Sequence, residues 1–223
     1  MHATVAPYGS WGSPITIDDL LGATVGLGAV ATDGADLYWT ESRASDGGRV
    51  SLWHQAPDGR RTELTPEHNV RSRVHEYGGG AWDVAGGLVV FSDFETNRLF
   101  RVTEAGIVPL TPDNPALRFA DLRVHPERNV VLAVCEDHSS SDIDATSSIV
   151  ALSLEGGEPI TLVAGADFYM SPELGVDGRL AWVEWNHPNM PWDVTTVQCG
   201  TLEDDLSVHD VALVATDECA TYP

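Results

Sequence analysis

Residues 81–94, AWDVAGGLVVFSDF, lead through two residues into NRLFRVTEAGIVPLTP at 97–112. Short runs of Val, Leu, Ile and Phe are divided by Gly-Gly, Asp, Asn and Pro, which is strand chemistry punctuated by turn chemistry. The same arrangement stands upstream, where ATDGADLYWTES (31–42) is followed by RVSLWHQAPDGRRTELTP (49–66). The LTP triplets that close these two units begin at Leu64 and Leu110, 46 residues apart. A third unit reads LRVHPERNVVLAVCEDH (122–138) and SSIVALSLEGGEPITLV (147–163). A fourth reads GVDGRLAWVEW (175–185) and WDVTTVQCGTLEDD (192–205).

A unit of this length with about four strands is the signature of a β-propeller blade. One twisted four-stranded sheet cannot bury both of its faces, whereas blades stacked side by side cover one another. A flat β-sandwich is the competing all-β fold, but it does not require repeats in register. The sequence therefore predicts an all-β, partial β-propeller of about four blades of four-stranded antiparallel sheet. The blades fall at about 25–68, 69–114, 115–167 and 168–215, and a further blade begins after them. Residues 1–24 make an N-terminal segment with a short helix at Ile17–Leu21, where Asp18 and Asp19 favour the helix start. Closed four-bladed propellers exist, but an open row leaves apolar faces whose exposure rivals a domain's whole stability. Self-association through open blade edges is then expected.

The 223 residues hold 34 Asp and Glu against 12 basic residues, all of them Arg, for a formal charge of −22. Such a surface repels phosphate backbones and anionic headgroups, so neither nucleic acid nor a membrane is an expected partner. Seven Trp, five Tyr and five Phe separate the chain from acidic disordered sequences. Cys135, Cys199 and Cys219 form no CxxC pair and suggest neither a zinc site nor a disulfide framework. The first residues lack the charged and apolar regions of a signal peptide, which points to a cytoplasmic protein.

RVHEYGGGAW (73–82) invites three readings: a catalytic cluster, a phosphate loop or scaffold. A strand follows the glycines where a nucleotide loop needs a helix, and no GK[ST] or GxGxxG occurs in a strand–turn–helix setting. Gly78–Gly80 are read as permitting close backbone approach or positive φ before a strand. Strand alternation would send His75 and Tyr77 to one side and Glu76 to the other. No G-x-S-x-G is present, so the chain carries no recognisable nucleophile and no catalytic residue is assigned. No cofactor or metal is expected. In EDHSSSDIDATSS (136–148), Asp137, His138, Asp142 and Asp144 lie close together but lack an EF-hand pattern. A solvated loop is the favoured reading there, with a metal-dependent hydrolase as its rival. EWNHPNMPWD (184–193) leaves an apolar strand as a stiff aromatic loop, which either packs over a neighbouring blade or offers a rigid contact surface.

Taken together, PYGSWGSPIT (7–16), RSRVHEYGGGAW (71–82), FSDFETNRLFRV (91–102) and LAWVEWNHPNMPWD (180–193) resemble the prolyl oligopeptidase family, in its dipeptidyl aminopeptidase/acylaminoacyl peptidase branch. The resemblance covers essentially the whole chain in order, with departures at Gly12 and Val194. It implies an N-terminal propeller that gates access of short peptides to an α/β-hydrolase domain bearing a Ser-Asp-His triad. That hydrolase domain, the implied partner, is not in these 223 residues. His75, Glu76, Tyr77, His187, Asn189, Met190, Trp192 and Asp193 are the residues placed at the cavity or the domain contact. A stand-alone small propeller that binds protein or peptide through its loops is the alternative.

Overall fold

The computed structural model describes residues 5–10, 12–22, 24–76, 78–140 and 145–217. Among them sixteen strands form four antiparallel sheets, each in simple meander order. The first blade comprises β1 (Val25–Asp33), β2 (Asp36–Arg43), β3 (Val50–Gln55) and β4 (Arg61–Glu63). The second comprises β5 (Trp82–Ala85), β6 (Leu88–Ser92), β7 (Leu99–Thr103) and β8 (Gly106–Pro109). β9 (Leu117–His125), β10 (Val130–Asp137), β11 (Thr146–Ser153) and β12 (Ile160–Ala164) make the third. The fourth is β13 (Phe168–Leu174), β14 (Arg179–Trp185), β15 (Thr195–Leu202) and β16 (Val208–Asp217). A short helix, α1, spans Ile17–Gly22 ahead of the first blade.

Three buried apolar layers lie between successive blades. Tyr38, Leu52, Val84 and Phe91 join the first and second. Val90, Leu122, Val131 and Leu152 join the second and third, and Leu132, Ile149, Tyr169 and Trp182 the third and fourth. Apolar side chains stay exposed on the strands at the two ends of the row. Leu27 and Val30 of β1 are 75% and 66% exposed, and Leu213 and Val214 of β16 are 56% and 63% exposed. Among the described residues no further apolar layer joins the fourth blade to the first.

Carboxylates of the inner strands tie each blade to the next. Asp33 Oδ2 accepts the Gly87 N–H, and Asp83 Oδ2 accepts the Val124 N–H at 2.6 Å. Asp121 does this twice: Oδ1 accepts from Gly80 and Oδ2 from Ser171, each at 2.8 Å. Such charge-assisted bonds are short and strong. Asp121 can reach both because β9 bulges there, with a left-handed φ of 52°. Ser171, at the equivalent bulge of β13, has φ 51°.

The glycine run serves this packing. A Cβ on Gly79 would fall 2.9 Å from the Cβ of Ala120 and 3.0 Å from Asp121 Oδ1, so only glycine lets the chain lie against β9. Gly78, at φ 91°, ends the preceding turn. The expected close approach and positive φ are both present.

Candidate functional site

The turn before Gly78 departs from the strand alternation predicted for it. His75 and Glu76 both take left-handed backbone, φ 56° and 63°, so they do not alternate across a strand. The local cause is a helical-type turn, closed by the Glu76 N–H to Arg73 O at 3.0 Å and the Gly78 N–H to Val74 O at 2.8 Å. Left-handed backbone costs a non-glycine residue about 1–2 kcal/mol. Side chains of the third blade hold it in place. Glu136, 5% exposed at the end of β10, accepts the His75 N–H through Oε1 at 2.8 Å. Arg118 of β9 donates to Glu76 Oε1 at 2.6 Å and to the Arg73 carbonyl at 3.3 Å. The guanidinium of Arg118 holds the Glu76 carboxyl below the usual carboxylate range.

The turn aims His75 at the fourth blade. Its imidazole meets Phe168 and Trp185 edge-on, with ring centroids 5.8 and 5.3 Å away. Phe168 and Trp185 are register partners on β13 and β14, and their rings stack at 5.2 Å and 14°. Burial keeps the His75 imidazole below its usual pKa, against the pull of Glu136 and Asp121.

From Trp185 the chain continues into the 186–193 loop, which is pinned rather than free-standing. Asp167 Oδ2 accepts the His187 N–H, and Asn186 Oδ1 accepts the Asp167 N–H, both at 2.8 Å. Asp193 Oδ2 accepts the Met190 N–H while the Asp193 N–H bonds the Met190 carbonyl, each at 2.9 Å. The His187 ring packs on Phe168 at 4.9 Å.

A cavity of about 700 Å³ lies where these pieces meet. His75, Glu76, His187, Asn189 and Met190 all line it, so the structure brings five of the predicted residues to one place. Asp193 staples the loop without facing the cavity, and Trp192 points elsewhere at 55% exposure. Tyr77 lies outside the described residues, as do Asp142, Asp144 and Cys219. Sequence reading missed Glu136 as a cavity residue, together with Ser147, Asp167, Phe168 and Trp185. Glu136 and Ser147 sit in the acidic 136–148 segment, where the eye goes to the loop and not to the strand ends that flank it.

The lining can bind, and among the described residues it shows no nucleophile held by a base. Ser147 Oγ is buried and has no hydrogen-bond partner among the described residues, so no base activates it. On the β15–β16 hairpin Ser207 Oγ lies 2.9 Å from His209 Nε2, yet Asp205 binds the same serine instead of orienting the histidine. That exposed trio is a turn, not a triad. No group of His, Cys, Asp and Glu among the described residues has a metal-binding arrangement. His138 Nε2 instead meets Glu136 Oε2 at 3.2 Å, and Asp137 caps the Ser139 N–H.

No protein-family profile and no curated protein matches the chain. Solved structures do. A puromycin hydrolase superposes with a TM-score of 0.86 and 28% identity over 97% of this chain. A puromycin-hydrolyzing peptidase of Mycobacterium tuberculosis does so with a TM-score of 0.83 and 36% identity over the same 97%. In both cases the match takes up 36% of the longer protein, so the chain spans about a third of their length. An acylaminoacyl peptidase of Pyrococcus horikoshii, at 10% identity and a TM-score of 0.59 over 86% of this chain and 32% of its own, shares the fold alone. Four consecutive blades matched end to end by the two puromycin-cleaving enzymes are consistent with the N-terminal propeller part of the prolyl oligopeptidase family.

Proposed function

We propose that the chain is the substrate-gating part of a serine peptidase of the dipeptidyl aminopeptidase/acylaminoacyl peptidase type. It acts with a hydrolase domain supplied outside these 223 residues and cleaves no bond itself. The observation that carries this reading is the convergence of the 73–80 turn and the 186–193 loop, from different blades, on one cavity sized for a short peptide. The left-handed strain at His75 and Glu76 supports it, because such strain tends to be kept where a site needs it. The reading includes a cytoplasmic setting, consistent with the buried free thiols of Cys135 and Cys199. It also includes self-association of the isolated chain through the exposed strands at its open ends.

Reconstitution tests the proposal. The chain alone is expected to leave aminoacyl nitroanilides intact and to take no label from a fluorophosphonate. Co-expressed with the remaining two-thirds of the M. tuberculosis peptidase, it is expected to restore cleavage confined to short peptides. Labelling of the chain alone, or cleavage of long unfolded proteins by the assembled pair, would overturn the gating role.

A further inference from the structure

We propose that Arg71 and Arg73 form a cationic clamp that receives a carboxylate from the surface of the hydrolase domain. The inference rests on the reading of the chain as one part of a two-part peptidase and names a contact that joins the parts. With 34 acidic residues against 12 arginines, a guanidinium in this chain has many carboxylates within reach. Arg43, Arg49, Arg101, Arg118, Arg123 and Arg128 each pair with an acidic side chain. Arg71 and Arg73 make no ion pair among the described residues, although Glu67, Glu76 and Glu95 are near them in sequence. Glu76 is already held by Arg118 at 2.6 Å.

The two guanidiniums converge on one ring. Arg71 stands over Phe94 at 4.6 Å from the ring centroid and Arg73 at 4.0 Å. Arg73 Nε also donates to the Phe94 carbonyl at 3.1 Å, and the Phe94 N–H bonds the Asn69 carbonyl at 2.9 Å, so the ring and Arg73 are fixed. The aromatic face attracts each cation while the cations repel each other, and the arrangement gathers positive charge instead of dispersing it. In a chain of net charge −22 this is a local reversal of sign. Guanidinium forks match a carboxylate in shape as well as charge. The place suits a domain contact. Residues 71–73 lead directly into the turn that brings His75 and Glu76 to the cavity, and Arg71 is exposed. A domain seated over that cavity meets the clamp at its edge. The matched puromycin-cleaving enzymes hold about two-thirds of their length outside the matched part, which leaves ample chain to supply the acidic group.

Co-expression of the chain with the remaining two-thirds of the M. tuberculosis peptidase, followed by sedimentation velocity of the purified pair at low and high NaCl, tests this. The parent pair is expected to loosen as salt rises, because salt screens a contact between exposed charges. The double variant Arg71→Gln/Arg73→Gln is expected to bind about tenfold or more weaker at low salt and to lose most of the salt response. Arg71→Gln alone carries the test if the double variant misfolds, because the Arg71 side chain is exposed and makes no hydrogen bond among the described residues. Equal affinity and equal salt response in parent and variants overturn the clamp and leave the gating reading standing. No complex with the parent chain overturns both.

Discussion

His75 and Trp185 meet edge-on at 5.3 Å, one in the turn that leads to the second blade and the other ending β14 of the fourth. The third blade lies between them in sequence, yet contributes the carboxylate that fixes the His75 backbone. The cavity therefore depends on three blades keeping their mutual positions.

Asp121 is the main fastener of that arrangement, because its two oxygens serve Gly80 and Ser171. Asp121→Ala leaves two N–H groups without their acceptor and is expected to lower stability by about 1–3 kcal/mol. Asp121→Asn keeps one acceptor and tolerates the left-handed backbone, so its loss is smaller. Urea denaturation checks the order, and an Ala variant as stable as the parent would contradict it.

Gly79 admits no side chain without displacing Ala120 or Asp121. Gly79→Ala is expected to cost about 1–3 kcal/mol by overpacking. Gly87→Ala makes a control, because open space surrounds it and its cost comes from a φ of 76° alone. Thermal melts with unchanged Gly79→Ala stability would refute the close approach.

Burial lowers the His75 pKa, so between the folded value and the unfolded value of about 6.5 only the unfolded chain binds the proton. Stability then falls as pH drops through that window. His75→Gln removes this linkage, and the stability gap between parent and variant is expected to narrow from about pH 7.5 to about pH 5.5. His125, also lowered by burial, leaves a residual slope of the same sign. A gap that stays constant with pH would contradict the half-buried, neutral imidazole.

Burial pushes the Cys135 thiol up to about 12, with Asp137 and Glu136 adding to the effect. Thiolate is the reactive form, so Cys135 is expected to resist iodoacetamide at about pH 8 until the chain unfolds. Mass spectrometry of the Cys135 peptide reads this directly. Rapid native labelling would show that β10 is not in the core.

The exposed apolar residues of β1 and β16 predict concentration-dependent association of the isolated chain. Sedimentation velocity over a hundredfold concentration range is the check. A strict monomer throughout would mean these faces do not draw copies together.

The blade repeat was legible because each strand writes its own signal: alternating apolar residues bounded by Gly, Asp and Pro. The cavity was half legible. His75, Glu76, His187, Asn189 and Met190 stand in unusual local sequences, and unusual loops attract attention. Glu136 and Phe168 do not, because their role comes from the stacking of blades, and no local pattern records which strand ends meet. Alternation failed at His75 for a related reason. The left-handed turn there is held by Glu136 and Arg118, residues of the next blade.

The coding DNA that follows the Pro223 codon gives the most direct test of the central claim. A G-x-S-x-G motif followed by Asp and then His is expected there, in the same frame or in an adjacent one. A downstream region with no such motif in any frame would contradict the assignment of this propeller to a serine peptidase.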